Sequence, residues 1–232
     1  MSFIMKNYLL ALCVGLSMGA GEAPAKDVEL RCVSLVSTHP EGDVFLHVAG
    51  KKRRGAHLQV QGYLNHDSDT VALDGQDVIF TKDGSPKSVE DESMKLGQVK
   101  FPGNLERAIL VFSPPKEEAP AFVSLIDDSA KAFPAGSYCV LNLSPHPVRI
   151  QLEGKDFDCP PDSQTPIVKP PVGEGNMIGM KAFYNKGGGD EWEQIASGIW
   201  PEPGRKRVLQ IIQENPNGNG VLMKGLTDSA AP

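Results

Sequence analysis

At 232 residues, with 40% hydrophobic and 22% charged residues, the chain has the means to bury a packed core, and wholesale disorder is excluded. A formal net charge of −6 argues against nucleic acid as a general partner. Its 24 glycines and 19 prolines interrupt helices and suit many short strands joined by tight turns.

The N-terminus reads as a secretory signal. Lys6 supplies a positive start, Tyr8 to Met18 is an uncharged apolar run, and Ala23-Pro24-Ala25 offers small residues for a signal peptidase. Cleavage after Ala25 is expected, with a cut near Ala20 and an uncleaved anchor as the alternatives. Cys13 lies mid-run behind Leu12, which is the wrong setting for lipid attachment. No later stretch approaches the ~20 apolar residues of a membrane helix. The mature chain is therefore expected to hold no transmembrane segment and to be exported, soluble, to the periplasm or the extracellular space.

Period-two alternation recurs from there on, and no long segment has helical spacing. Val28–Cys32 opens the mature chain as a strand. Val44–Val48 and Leu58–Leu64 make a hairpin, with Val48 set opposite Leu58 and Leu46 opposite Val60 so that both apolar faces point one way. Its tip is Gly50-Lys51-Lys52-Arg53-Arg54-Gly55. Thr70–Leu73, Val78–Thr81, Gln98–Phe101, Arg107–Phe112 and Ala121–Ile126 follow as strands, with turn signals at Asp74-Gly75 and Asp83-Gly84 and a loop at Pro114–Pro120. Pro134-Ala135-Gly136 turns into Tyr138–Ser144, and Ser144-Pro145-His146-Pro147 leads into Val148–Leu152. A Pro-rich crossing spans 160–175. Met180–Tyr184 and Trp192–Ile199 flank a Gly187-Gly188-Gly189 tip, and Val208–Ile212 is the last clear strand. Residues 215–232 read as a loose tail. No internal repeat is evident. The expectation is an all-β fold, a two-sheet β-sandwich of about a dozen short strands, Ig-like in general architecture. One continuous domain over 26–214 is expected; two small β-domains split near 114–120 is the alternative.

Chemistry is sparse. Lys186-Gly187-Gly188-Gly189-Asp190 is followed by a strand and not by the helix a phosphate loop needs. Asn65-His66-Asp67-Ser68-Asp69 resembles the start of a calcium loop, but Thr70 and Gln76 stand where Gly and Glu are required. His47 and His57 fall diagonally on the outer hairpin face without a third ligand. Asp127-Asp128, and Glu191 and Glu193 around Trp192, are paired acids with no sign of a sugar cleft between them. Tyr184 and Trp192 face each other across the last hairpin, as packing or as a sugar platform. Asn142-Leu143-Ser144 fits a glycosylation sequon inside a strand. No cofactor motif is present. Of Cys32, Cys139 and Cys159, at most two bridge, and Cys139–Cys159 is expected because their strands share a hairpin; Cys32–Cys139 competes.

The run Phe133-Pro134-Ala135-Gly136-Ser137-Tyr138-Cys139-Val140-Leu141-Asn142-Leu143-Ser144 resembles a segment of uncharacterised exported bacterial β-sandwich proteins, in which a Pro-Ala-Gly-Ser-Tyr turn enters a core strand. The resemblance implies an envelope or secreted protein and carries no catalytic residue.

These features together suggest a non-catalytic interaction or structural role in the cell envelope. A glycan-acting hydrolase and a carbohydrate-binding module are the alternatives. The candidate contact residues are Lys51, Lys52, Arg53 and Arg54 at the hairpin tip and Arg205, Lys206 and Arg207 before the last strand. Such clusters could meet an anionic envelope glycan, a lipid headgroup or an acidic protein.

Overall fold

The computed structural model describes residues 26–34, 43–73, 77–113, 121–187, 189, 191–215 and 220–229. The expected cleavage site after Ala25, the Asp74-Gly75 turn and the Pro114–Pro120 loop lie outside them. The strands in chain order are β1 (Lys26–Ser34), β2 (Val44–Val48), β3 (Ala56–Leu58), β4 (Val60–Gln61), β5 (Asp69–Leu73), β6 (Asp77–Thr81), β7 (Lys95–Lys100), β8 (Arg107–Ser113) and β9 (Phe122–Asp127). After them come β10 (Tyr138–Asn142), β11 (Val148–Leu152), β12 (Lys155–Cys159), β13 (Ser163–Ile167), β14 (Met177–Tyr184), β15 (Glu193–Pro201), β16 (Arg207–Glu214) and β17 (Val221–Asp228). Two short 3₁₀ turns, Pro86–Glu90 and Glu174–Asn176, are the helical content among the described residues.

The all-β, β-sandwich class holds, and its strands form four sheets. β4-β1-β8-β9, with β5 also on β1, and β3-β2-β6-β7 use strands before residue 128; β13-β10-β16-β17 and β12-β11-β14-β15 use strands after residue 137. Alternation along a strand reports which face is buried and carries no count of sheets. The two sheets containing β1 and β10 are inner layers. Their central pairs, β1 with β8 and β10 with β16, are parallel. Ala108-Ile109-Leu110-Val111-Phe112 is buried throughout, because both faces of β8 meet other sheets.

Three core layers result. One, including Leu30, Cys32, Leu46, Phe80 and Phe112, fills the first sheet pair. Another, including Tyr138, Val140, Ile150, Cys159 and Trp200, fills the second. The third lies between the inner sheets and unites Val33, Ile109, Val111 and Ile126 with Cys139, Leu141, Leu209 and Leu226. Phe80 and Phe112 meet edge to face at 5.3 Å. Tyr138 stacks on Trp200 at 4.7 Å, and its buried hydroxyl donates to the Pro201 carbonyl.

The pairing pattern occurs twice. β2 pairs with β3 and β6, and β6 with β7; β11 pairs with β12 and β14, and β14 with β15. β1 takes β5 antiparallel and β8 parallel, with β9 beyond β8; β10 takes β13 antiparallel and β16 parallel, with β17 beyond β16. No repeat shows in the sequence because the fold requires only matching patterns of buried positions, which different apolar residues supply.

Three expectations are corrected. Residues 221–228 are strand β17 rather than part of a loose tail: Leu226 and Asp228 are buried, and every residue from Val221 to Asp228 pairs with β16. The first hairpin pairs Val44 with Leu58 and Leu46 with Ala56, a slip of four residues that keeps the same face inward. No disulfide links the described cysteines: Cys32, Cys139 and Cys159 are free and buried. Alternation along β10 turns Cys139 into the central layer while Val140 faces the layer that holds Cys159, so the two thiols point into different cores.

Burial pushes all three thiols up, Cys139 to about 12 and Cys159 to about 11. A thiol reagent at pH 8 is expected to leave them unlabelled in the native chain and to label all three after unfolding; a Cys139–Cys159 peptide in non-reduced mapping would refute the assignment. Ile109→Ala in the central layer is expected to cost about 2–5 kcal/mol in urea denaturation.

Candidate functional site

The most concentrated chemistry lies in the central layer. Arg31 (β1), Asp128 (just past β9), Arg207 (first residue of β16) and Asp228 (last residue of β17) are all buried. Arg31 donates from Nε to Asp128 Oδ2 at 3.1 Å, from Nη2 to both Asp128 oxygens at 2.8 Å, and from Nη2 to Asp228 Oδ2 at 2.9 Å. Its Nη1 donates to the Leu64 carbonyl at 3.0 Å. Arg207 donates from Nη2 to Asp128 Oδ1 at 2.8 Å and from Nε to Asp228 Oδ2 at 3.1 Å, and Nη2 also reaches Asp228 Oδ2. Its Nη1 donates to the Phe133 carbonyl at 2.9 Å, and the guanidinium stacks over the Phe133 ring at 4.6 Å.

Two cations thus face two anions, and each guanidinium touches a carboxylate from each half of the chain. Burying four charges is tolerable only with this pairing and with further hydrogen bonds for the remaining donors. For Asp228, burial pulls its pKa up, but the hydrogen bonds and charges of Arg31 and Arg207 outweigh that and hold the carboxyl below its usual range. Burial likewise opposes the charge on Arg31, yet Asp228 and Asp128 raise it further. Glu29 and Arg107 flank the cluster on the same strand faces, 3.4 Å apart.

Further ties cross between the halves. Asn65 donates to the Thr227 carbonyl at 3.2 Å and accepts from the Ser229 backbone at 2.7 Å. Gln164 donates to the Leu125 carbonyl at 2.6 Å. Beside that bond, an open cleft of about 460 Å³ is lined by Phe122, Ser124, Leu125, Leu141, Leu143 and Asp162.

Most candidates from the sequence have structural partners. Arg207 is not a surface contact: it is fully buried, because Arg207 shares the inward face of β16 with Leu209 and Ile211. Asp128 is bound to two arginines, and Asp127 accepts from the Ser129 backbone at 2.9 Å. His47 is 3% exposed, covered by Gly55 and the Pro86–Glu90 turn, with Nε2 3.0 Å from Thr81 Oγ1. His57 is exposed and pairs with Asp43 at 2.7 Å, so the two imidazoles do not converge. Tyr184 lies opposite Glu193 and donates to it at 2.9 Å, while Trp192 stacks under Arg149 at 4.4 Å. Asn142 is buried, with its amide donating to the His146 and Cys159 carbonyls at 2.9 Å. Asp69 accepts from the Gln59 backbone at 2.8 Å.

Lys52, Arg53 and Arg54 are exposed and Lys51 is half-buried at the β2–β3 tip, where Arg53 donates to the Ala72 carbonyl at 3.2 Å. Arg205 and Lys206 are exposed between β15 and β16. The first basic group joins β2 to β3 and the second joins β15 to β16. Arg31 and Asp228 escaped notice in the sequence: Arg31 sits in an alternating strand as an ordinary outward charge, and Asp228 lies in what reads as tail.

Removing one partner from the cluster strands buried charge, so Arg207→Met is expected to destabilise by about 3–5 kcal/mol. Because the folded Asp228 carboxyl titrates below its unfolded value, its contribution is complete above about pH 4 and is lost as pH falls further, through the folded value. Acid denaturation should therefore be shallower in Asp228→Asn than in the parent chain below about pH 4. Equal slopes would refute the role of this carboxylate.

No family model matches the chain, and no curated protein matches it. Among solved structures, the chain is similar to a crystal structure of a putative cell adhesion protein from Bacteroides uniformis, at 8% identity, covering 89% of this chain and 99% of that one, with a TM-score of 0.22. At that score the likeness carries no functional argument.

Proposed function

We propose that the chain is an exported, non-catalytic interaction or structural protein of the cell envelope, built as two tandem β-sandwich units. The observation that carries this reading is the use of its buried charges. Arg31, Asp128, Arg207 and Asp228 satisfy one another in a closed set, and they join the halves instead of facing a cleft. Paired acids that serve hydrolysis must flank a substrate; Asp128 instead holds two guanidinium groups. Lys6, the Tyr8 to Met18 run and Ala23-Pro24-Ala25 support export. Among the described residues, no helix is long and apolar enough to cross a membrane.

The proposed contact surface is the basic tip Lys51–Arg54, with Arg205 and Lys206 as a second positive spot on a net acidic chain. Its partner is an anionic glycan, lipid headgroup or acidic protein surface. Charged tips also keep sheet edges from pairing, so the test must separate the two roles. Replacing Lys51, Lys52, Arg53 and Arg54 together by Ser is expected to weaken retention on purified envelope glycan or anionic vesicles. Retention of the parent should fall with salt, since exposed charges are screened over about 10 Å at 0.1 M. Retention unchanged in both comparisons removes the tip from the contact surface.

A further inference from the structure

The basic tip forms one wall of a pocket. Leu46 of β2 and Ala56 of β3 are cross-strand partners, and with Thr70, Val71 and Ala72 of β5 in the neighbouring sheet they line a hollow of about 260 Å³. Arg53 and Arg54 complete the lining. Leu46 and Val71 belong to the core of this sheet pair, whereas both arginines are exposed, which puts apolar carbon at the base of the hollow and the arginines at its mouth.

The loop that carries the arginines is tied down at both ends. The Lys51 N–H donates to the Val48 carbonyl at 3.1 Å, and the Gly55 N–H donates to the Gly84 carbonyl at 3.0 Å. Arg53 donates from Nη2 to the Ala72 carbonyl at 3.2 Å, which links the loop to β5. Arg54 Nε passes close to Gly84: a β-carbon there would stand 3.2 Å from it and 2.8 Å from the Phe45 ring, so glycine keeps room for both. Two guanidinium groups are thus set beside one hollow before a ligand arrives, which lowers the ordering cost of binding. With five donors, a guanidinium can hold a backbone carbonyl and an anion together.

We propose that this pocket binds a phosphate monoester, with its oxygens on Arg53, Arg54 and the Thr70 hydroxyl and the esterified carbon against Leu46, Ala56 and Val71. The proposal rests on the reading of the basic tip as a contact surface and names the ligand of that surface. Charge and oxygen count select the phosphate. A carboxylate has two oxygens and one charge, which a single guanidinium satisfies as a fork. A phosphate monoester carries about −1.5 to −2 at pH 7 and three acceptor oxygens, which match two guanidinium groups and a hydroxyl. The apolar base favours an ester over the inorganic ion, which has no carbon to bury. The hollow is smaller than the ~300 Å³ at which drug-sized sites begin, so it takes the phosphorylated end of a larger molecule, a lipid or a glycan.

Calorimetric titration of the purified chain with glycerol 3-phosphate should show saturable binding, weaker with inorganic phosphate. Arg53→Lys and Arg54→Lys keep the charge but lose the planar fork, and each should weaken binding about tenfold or more, the value of one charged hydrogen bond. Ala72→Phe fills the hollow without changing charge and should abolish binding with an unchanged circular dichroism spectrum. Lys52→Gln removes a charge outside the hollow and should change the affinity far less. Phosphatidic acid vesicles and glucose 6-phosphate separate the sources: the one bound by the parent and lost in Ala72→Phe identifies lipid or glycan. A parent chain that does not saturate, or parent-like affinity in both lysine variants or in Ala72→Phe, overturns the pocket. Retention on phosphatidylglycerol vesicles needs charge alone, so it should persist in the lysine variants and fall in the four-serine variant, which distinguishes failure of the pocket from failure of the contact surface.

Discussion

Two arginines and two aspartates, closed on one another between the inner sheets, are the constraint around which the rest of the molecule is arranged. Charges removed from water are tolerated only while every partner stays in place. Arg31 must therefore sit at one position of β1, Arg207 at the first position of β16, and Asp128 and Asp228 at the ends of β9 and β17. A one-residue slip of any of these strands would turn its charge to the opposite face and into an apolar core. The apolar layer alone is less demanding, since Ile, Leu and Val exchange there at modest cost.

The cluster also shows how far the two halves correspond. Ala108 pairs with Asp127 as Val208 pairs with Thr227, which makes Arg107 the counterpart of Arg207 and Asp128 that of Asp228. The first inner sheet has an extra strand, β4 on β1, and within the cluster the correspondence breaks at one residue. Arg31 lies opposite Ile109, and the matching position opposite Leu209 is Cys139. Arg107 consequently sits at the rim beside Glu29, while Arg31 supplies the second cation. A charge-neutral set is reached with two arginines, one from each half, although their strands are not equivalent.

Outside the central layer, the first outer sheet carries the exposed basic residues Lys52, Arg53 and Arg54 between β2 and β3, and the second carries β14 and β15, where Ile199 is exposed opposite Gly179.

The sequence by itself determined the class of structure. Alternation in Val44–Val48, Val148–Leu152 and Tyr138–Asn142, with Gly and Pro between, specifies half-buried or buried strands because side chains alternate at period two whatever the fold. Local patterns failed where burial comes from distant neighbours. β13 contains a proline and β17 reads as tail, yet both are strands because β10 and β16 offer them hydrogen-bonding edges. The number of sheets, the free state of the thiols and the position of Arg207 were decided by tertiary structure alone. Each depends on which face of a strand meets which sheet, and charge beside apolar residues reads the same whether it faces water or a buried counter-charge. Arg31 and Asp228 are 197 residues apart along the chain, and only the stacking of the inner sheets brings them to 2.9 Å.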